Sequence, residues 1–149
     1  MTLHKRRIAS MALAIALLLM SPLPVFAGSA SGSNATASSG SKSFVTYSNI
    51  YTSSSFADAS QAIRSAQTTS AGEMGANPRL FTANGALYRD GGWQYSWSTL
   101  GGYNWLFFHA RADSVSTGTS WYSQGSGAYW NGRGYTTFSS GRSPAQTVR

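Results

Sequence analysis

The 149-residue sequence predicts an all-β fold, a small antiparallel β-sandwich or barrel of about six to eight strands. Three observations predict it. Trp93, Tyr95 and Trp97 alternate with Gln94, Ser96 and Ser98, the period of two that a half-buried strand shows. Two Asn-Gly pairs, Asn84-Gly85 and Asn131-Gly132, stand between β-like runs and read as hairpin turns. Aromatic residues recur every few positions from Phe44 to Phe138, broken by Gly and Asn.

In chain order, Lys5, Arg6 and Arg7 precede an uncharged apolar run, Ile8 to Met20, and then Val25-Phe26-Ala27. A basic start, an apolar stretch and a small-x-small site read as a secretory signal peptide over 1–27, cut after Ala27. The expected product is secreted. Its 122 residues carry eight basic and four acidic side chains, net +4, against +7 for the whole chain. The apolar run is short for a membrane span and no second one follows, so the mature form is expected to lack a transmembrane segment.

Residues 28–43 (GSASGSNATASSGSKS) contain no aromatic or branched aliphatic side chain and read as a flexible Gly/Ser-rich linker. The β domain is expected over 44–138, and the tail 139–149 is expected to fray. Within the domain, Phe44 to Tyr51 is rich in β-formers, with Val45, Tyr47 and Tyr51 on one face. Residues 55–67 carry Phe56, Ala59, Ala62, Ile63 and Ala66 at helical spacing. The stripe is thin enough that a strand is the preferred reading. Tyr103 to His109 is aromatic on both faces, as a central strand would be. Asn and Gly tolerate positive φ, so each Asn-Gly pair suits a type I′ turn.

Composition excludes several chemistries. There is no cysteine, hence no disulfide framework, zinc–thiolate site or thiol nucleophile. His109 is the single histidine after residue 27, and the carboxylates Asp58, Glu73, Asp90 and Asp113 stand apart in sequence. No G-x-S-x-G elbow or calcium loop occurs, so the reading is a non-enzyme with no cofactor or metal. A small hydrolase built on His109 or on an acid pair is the alternative that these residues leave.

The rings are the informative feature. About two-thirds of them are expected in the core, because leucine, isoleucine and valine are scarce. The remainder suit a binding surface that stacks on sugar rings. The candidate contacts are Trp130, Asn131, Arg133 and Tyr135 around the second hairpin, with the Trp93–Tyr95–Trp97 stripe next. Strand alternation puts Tyr129 and Trp130 on opposite faces, so at most one is expected fully buried. The arginines are scattered, without the basic cluster of a nucleic-acid binder. A polysaccharide or an anionic cell-wall polymer is therefore the expected partner.

The segments Gly72-Glu73-Met74-Gly75-Ala76, Arg79-Leu80-Phe81, Gly92-Trp93-Gln94-Tyr95 and Tyr122-Ser123-Gln124-Gly125 resemble small secreted proteins of Gram-positive bacteria. Trp130-Asn131-Gly132-Arg133-Gly134-Tyr135 and Ser143-Pro144 fit the same pattern, with Pro78 a departure inside an expected strand. That resemblance implies export but no activity. A fainter one, in composition alone, is to lactococcin-972-like bacteriocins, which implies an antibacterial role as the alternative to envelope binding.

Overall fold

The computed structural model describes residues 28–65, 74–96 and 105–149. Residues 1–27, expected to be a signal peptide, Glu73 and Trp97 lie outside the described residues. The described residues form β-strands and no helix, as the alternation and turn signals require. The strands are β1 (Gly28–Ser31), β2 (Ala35–Ser39), β3 (Lys42–Thr52), β4 (Phe56–Ser65), β5 (Met74–Asn77) and β6 (Arg79–Thr82). They continue as β7 (Leu87–Asp90), β8 (Gln94–Ser96), β9 (Leu106–Asp113), β10 (Ser120–Ser123), β11 (Ser126–Trp130), β12 (Tyr135–Ser139) and β13 (Gln146–Thr147). Residues 56–65, ambiguous in sequence, are strand.

The first layer is a sheet in the order β1-β3-β4-β9, with β2 sharing the β1 edge of β3. The second layer comprises two four-stranded sheets, β13-β10-β6-β7 and β12-β11-β5-β8. They are one long antiparallel pairing with a break in it. Ser126 faces Asn77 on one side of the break and Ser123 faces Leu80 on the other, in an unchanged register. The break falls at Pro78, which has no N–H to give to the ladder. Pro78 is thus a fully buried joint between β5 and β6.

The interior is built from small residues. Ile50, Ala57, Ala59, Leu80, Ala110, Ala112, Trp121 and Val148 form one apolar cluster. Phe44, Ile63, Met74, Ala76 and Tyr129 form a second, with the Phe44 and Tyr129 rings stacked at 4.3 Å. Between them lies a buried polar waist. Ser48 donates to Gln61 Oε1 at 2.7 Å, and Gln61 Nε2 donates to Thr46 Oγ1 at 2.6 Å. The Ser48 and Ser140 hydroxyls also bond each other.

Five expectations need correction. Residues 28–43 are not a free tether: Gly28–Ser31 and Ala35–Ser39 pair along β3. They need little apolar surface of their own, because the ladder satisfies their backbone and Ala30 and Ala37 touch the two clusters. The tail is held as well, since Gln146–Thr147 pairs with β10 and Val148 is fully buried. Among the described aromatic residues only Phe44, Trp121, Tyr122 and Tyr129 are buried, so the core is not two-thirds of the rings. Alanine, serine and glycine fill the inner faces, which displaces rings to the outer ones.

The fourth correction concerns β9, which is an edge strand. Its free carbonyls at His109 and Arg111 accept hydrogen bonds from Gln94 Nε2 and Arg89 Nη1, which cover the edge. The fifth concerns both Asn-Gly pairs. They do join hairpins, but only the glycines take positive φ, Gly85 at 92° and Gly132 at 97°. Neither turn is therefore type I′. The Asn84 and Asn131 side chains bond nearby backbone instead: Asn84 Oδ1 accepts from Ala86 N at 3.3 Å, and Asn131 Oδ1 from Arg133 N at 2.9 Å.

Candidate functional site

The outer face of the β12-β11-β5-β8 sheet carries a continuous row of rings. Trp130 and Tyr135 pair directly across β11 and β12, edge to face at 5.3 Å. Tyr135 meets Tyr95 at 4.6 Å, and Tyr95 lies near-parallel to Trp93 at 6.2 Å. Trp93 is 39% exposed, Tyr95 43% and Trp130 40%. The two ring groups that sequence kept apart, 130–135 and 93–95, are one surface.

Local chemistry explains how each ring is placed. Gly92 takes positive φ (69°) and its N–H donates to Asp90 Oδ1 at 2.9 Å, a turn that ends β7 and delivers Trp93. That hydrogen bond, ahead of the Arg79 charge, holds the Asp90 carboxyl below its usual range. Tyr95 faces Gly75, and a Cβ there would stand 2.3 Å from Tyr95 Cδ1, so the absent side chain is what lets the ring lie on the sheet. Ala128, on the same face, is fully buried although it points away from the core. Tyr129, one position on, points inward and is buried, which leaves Trp130 outside. The Tyr135 hydroxyl is buried beside these rings with no hydrogen-bond partner.

The polar candidates divide. Asn131 Oδ1 accepts from both Arg133 N and Gly134 N, and its Nδ2 donates to Thr136 Oγ1 at 2.9 Å. Its side chain therefore shapes the loop. Arg133 is exposed in that loop. Trp97, the third member of the stripe, falls outside the described residues.

The first layer holds the residues a hydrolase would need. His109 Nδ1 stands 3.1 Å from Asp58 Oδ2, and His109 faces Ser60 across the β4–β9 pairing. Burial raises the Asp58 carboxyl above its usual range, and His109 partly offsets this. Ser60, however, is 1% exposed, with its hydroxyl buried and unbonded. A nucleophile must reach its substrate, and this one does not. Asp90 and Asp113 are engaged by Arg79 and Arg111. Among the described residues no three metal-ligating side chains gather in one place.

No family model, curated protein or solved structure matches the chain. The site is accordingly read from its own geometry. A flat run of rings on a rigid sheet offers π-faces and C–H contact over an extended area, and contiguous exposed apolar surface of this kind marks interaction sites. Trp130 and Tyr135 flank one turn in the sequence, but nothing in the sequence joins Tyr95 to them. The link is the β5–β11 pairing, which joins residues about fifty positions apart.

Proposed function

We propose that this protein is a secreted, non-enzymatic binding module for a cell-envelope or extracellular polysaccharide. The observation that carries the reading is the Trp93–Tyr95–Tyr135–Trp130 row on one sheet face, with Trp93, Tyr95 and Trp130 exposed and Tyr135 half-buried between them. Sugar rings present a flat C–H face that stacks on indole and phenol rings, while their hydroxyls stay hydrated at the edges. The basic, apolar opening of the chain and Ala27 support export. The deep burial of Ser60 beside the Asp58–His109 pair supports a binding rather than a hydrolytic role.

Co-sedimentation with insoluble wall polysaccharide tests the proposal. The parent protein is expected to sediment and leave the polymer unchanged. Trp130→Ala and Tyr95→Ala are expected to stay folded and each to weaken binding about five- to a hundred-fold, the span of one aromatic stack. Parent-like retention by both variants refutes the platform as the site. Release of soluble sugar from the polymer refutes the non-enzymatic role.

A further inference from the structure

The ring platform is one end of a longer surface. Because β5–β6 and β10–β11 keep one register through the Pro78 break, the same outer face continues past Ser126 and Gln124 to Phe81 and Tyr122. Next along from the rings is a groove of about 240 Å³ lined by Arg79, Phe81, Gln124, Gly125, Ser126 and Ser139. Beyond it Phe81 stacks on Tyr122 at 4.9 Å, and the Arg142 guanidinium lies 3.5 Å over the Tyr122 ring. Trp130 and Tyr122 are eight strand residues apart, about 26 Å of extended chain.

Charge is distributed unevenly between the two layers. The outer face of the β3–β4–β9 layer sets Arg64 and Arg111 against Asp58 and Asp113, which balance. Among the described residues, the outer face of the ring-bearing layer has Arg79, Arg133 and Arg142 exposed against Asp90, which pairs with Arg79, while Arg89 lies opposite the inward-facing Leu80 and bonds the Arg111 carbonyl. Arg133 stands in the loop beside the rings and Arg142 at the far end. Guanidinium forks match carboxylates. Standing far apart, they do not form the basic cluster that nucleic-acid binding needs.

We infer that this face takes one extended chain of a uronic-acid polysaccharide, with sugar rings on the platform and carboxylates at Arg133 and Arg142. The inference rests on the platform being a glycan site. It selects a uronic acid because stacking needs pyranose rings in the backbone and the arginines need anions on that same backbone. A polyol-phosphate polymer supplies only the second.

The test is affinity measurement on the protein purified from culture medium. The probes are a long oligogalacturonate, a neutral oligoglucan of equal length and a single-stranded oligonucleotide. Oligogalacturonate is expected to bind tightest, and raising salt from about 50 to 500 mM is expected to weaken it while leaving the neutral oligoglucan unchanged. Arg142→Gln and Arg133→Gln are each expected to cost about three- to ten-fold on oligogalacturonate and nothing on the neutral glucan. Arg133 lies in a solvent-exposed loop, so its variant reports on binding even if Arg142→Gln perturbs the Tyr122 stack. Equal affinity for charged and neutral glycans overturns the inference and leaves the platform intact. Binding to neither glycan overturns the platform reading too. Tightest binding to the oligonucleotide overturns both in favour of nucleic acid.

Discussion

The Gly125 backbone N–H donates to the Ser48 hydroxyl at 3.0 Å, a hydrogen bond that crosses from one layer of the sandwich to the other. Gly125 stands opposite Pro78 in the pairing register, where the ladder is broken. Ser48 therefore caps the break from across the core. Ser140 completes the closure, since its N–H and hydroxyl both bond the Gly125 carbonyl, at 3.1 and 3.2 Å.

This waist should be costly to disturb. A Cβ on Gly125 would lie 2.4 Å from both Asn77 O and Gln61 Oε1. Gly125→Ala is expected to cost about 2–4 kcal/mol through overpacking against backbone. Gln61→Leu is expected to cost a similar amount, because Ser48 and Thr46 lose buried partners. Urea unfolding monitored by tryptophan fluorescence measures both. Parent-like midpoints would mean that the network contributes nothing net.

Gly75 gives a variant that separates platform shape from ring chemistry. Gly75→Ala removes no ring from the chain but is expected to lift Tyr95 off the sheet. Stability is expected to fall by about 1–3 kcal/mol, because the exposed Tyr95 ring can move but the added Cβ would also stand 2.8 Å from the Gln94 carbonyl oxygen. Retention on wall polysaccharide is expected to fall nearly as far as with Tyr95→Ala. Full retention would show that the flatness of the row is irrelevant.

The N-terminal strands should be structural. A chain beginning at Ser41 loses β1 and β2 and exposes the edge of β3, the longest strand described. The melting temperature is expected to drop by about 10 °C or more, with aggregation as β3 edges pair between molecules. A loss of only a degree or two would mean that the pairing of 28–39 adds no stability.

The Asp58 carboxyl, raised mainly by burial, makes a signed pH prediction. A raised folded pKa means the folded state holds the proton more tightly. That contribution is fully present below the unfolded pKa and is lost as pH rises through the folded one. Asp58→Asn removes the cost of the buried charge, and His109 is exposed enough to tolerate the loss of its partner. At pH 7 the variant is expected to melt a few degrees higher than the parent, by about 2–4 °C. The gap should close as pH falls below about 4, where the Asp58 carboxyl is protonated in the folded and unfolded states alike and is uncharged like the asparagine. A variant less stable at pH 7 would mean that the His109 pairing outweighs desolvation.

Strand positions were legible in the sequence because alternation and Asn-Gly pairs are local signals. The distribution of rings was not. In β3, Thr46 and Ser48 point inward while Tyr47 and Tyr51 point outward, the reverse of a hydropathy rule. Small inner residues achieve burial through close-packed layers, and only the partner layer shows which face that is. Residues 28–39 looked unstructured because their order comes from a ladder with β3, a long-range property with no compositional mark. The site was half legible: Trp130 and Tyr135 flank a visible turn, but Tyr95 joins them only through β5 and β11.

The register of β1 has a consequence for presentation. Gly28 pairs with Thr52 and lies against Gln146, so the Gly28 strand and the 146–148 segment meet beside the Val148 cluster. The ring platform sits over the other cluster, at the opposite pole. A carrier, surface tether or fluorescent reporter joined next to Gly28 or after Arg149 would therefore sit at the end of the sandwich remote from the rings, like a stem under a lamp.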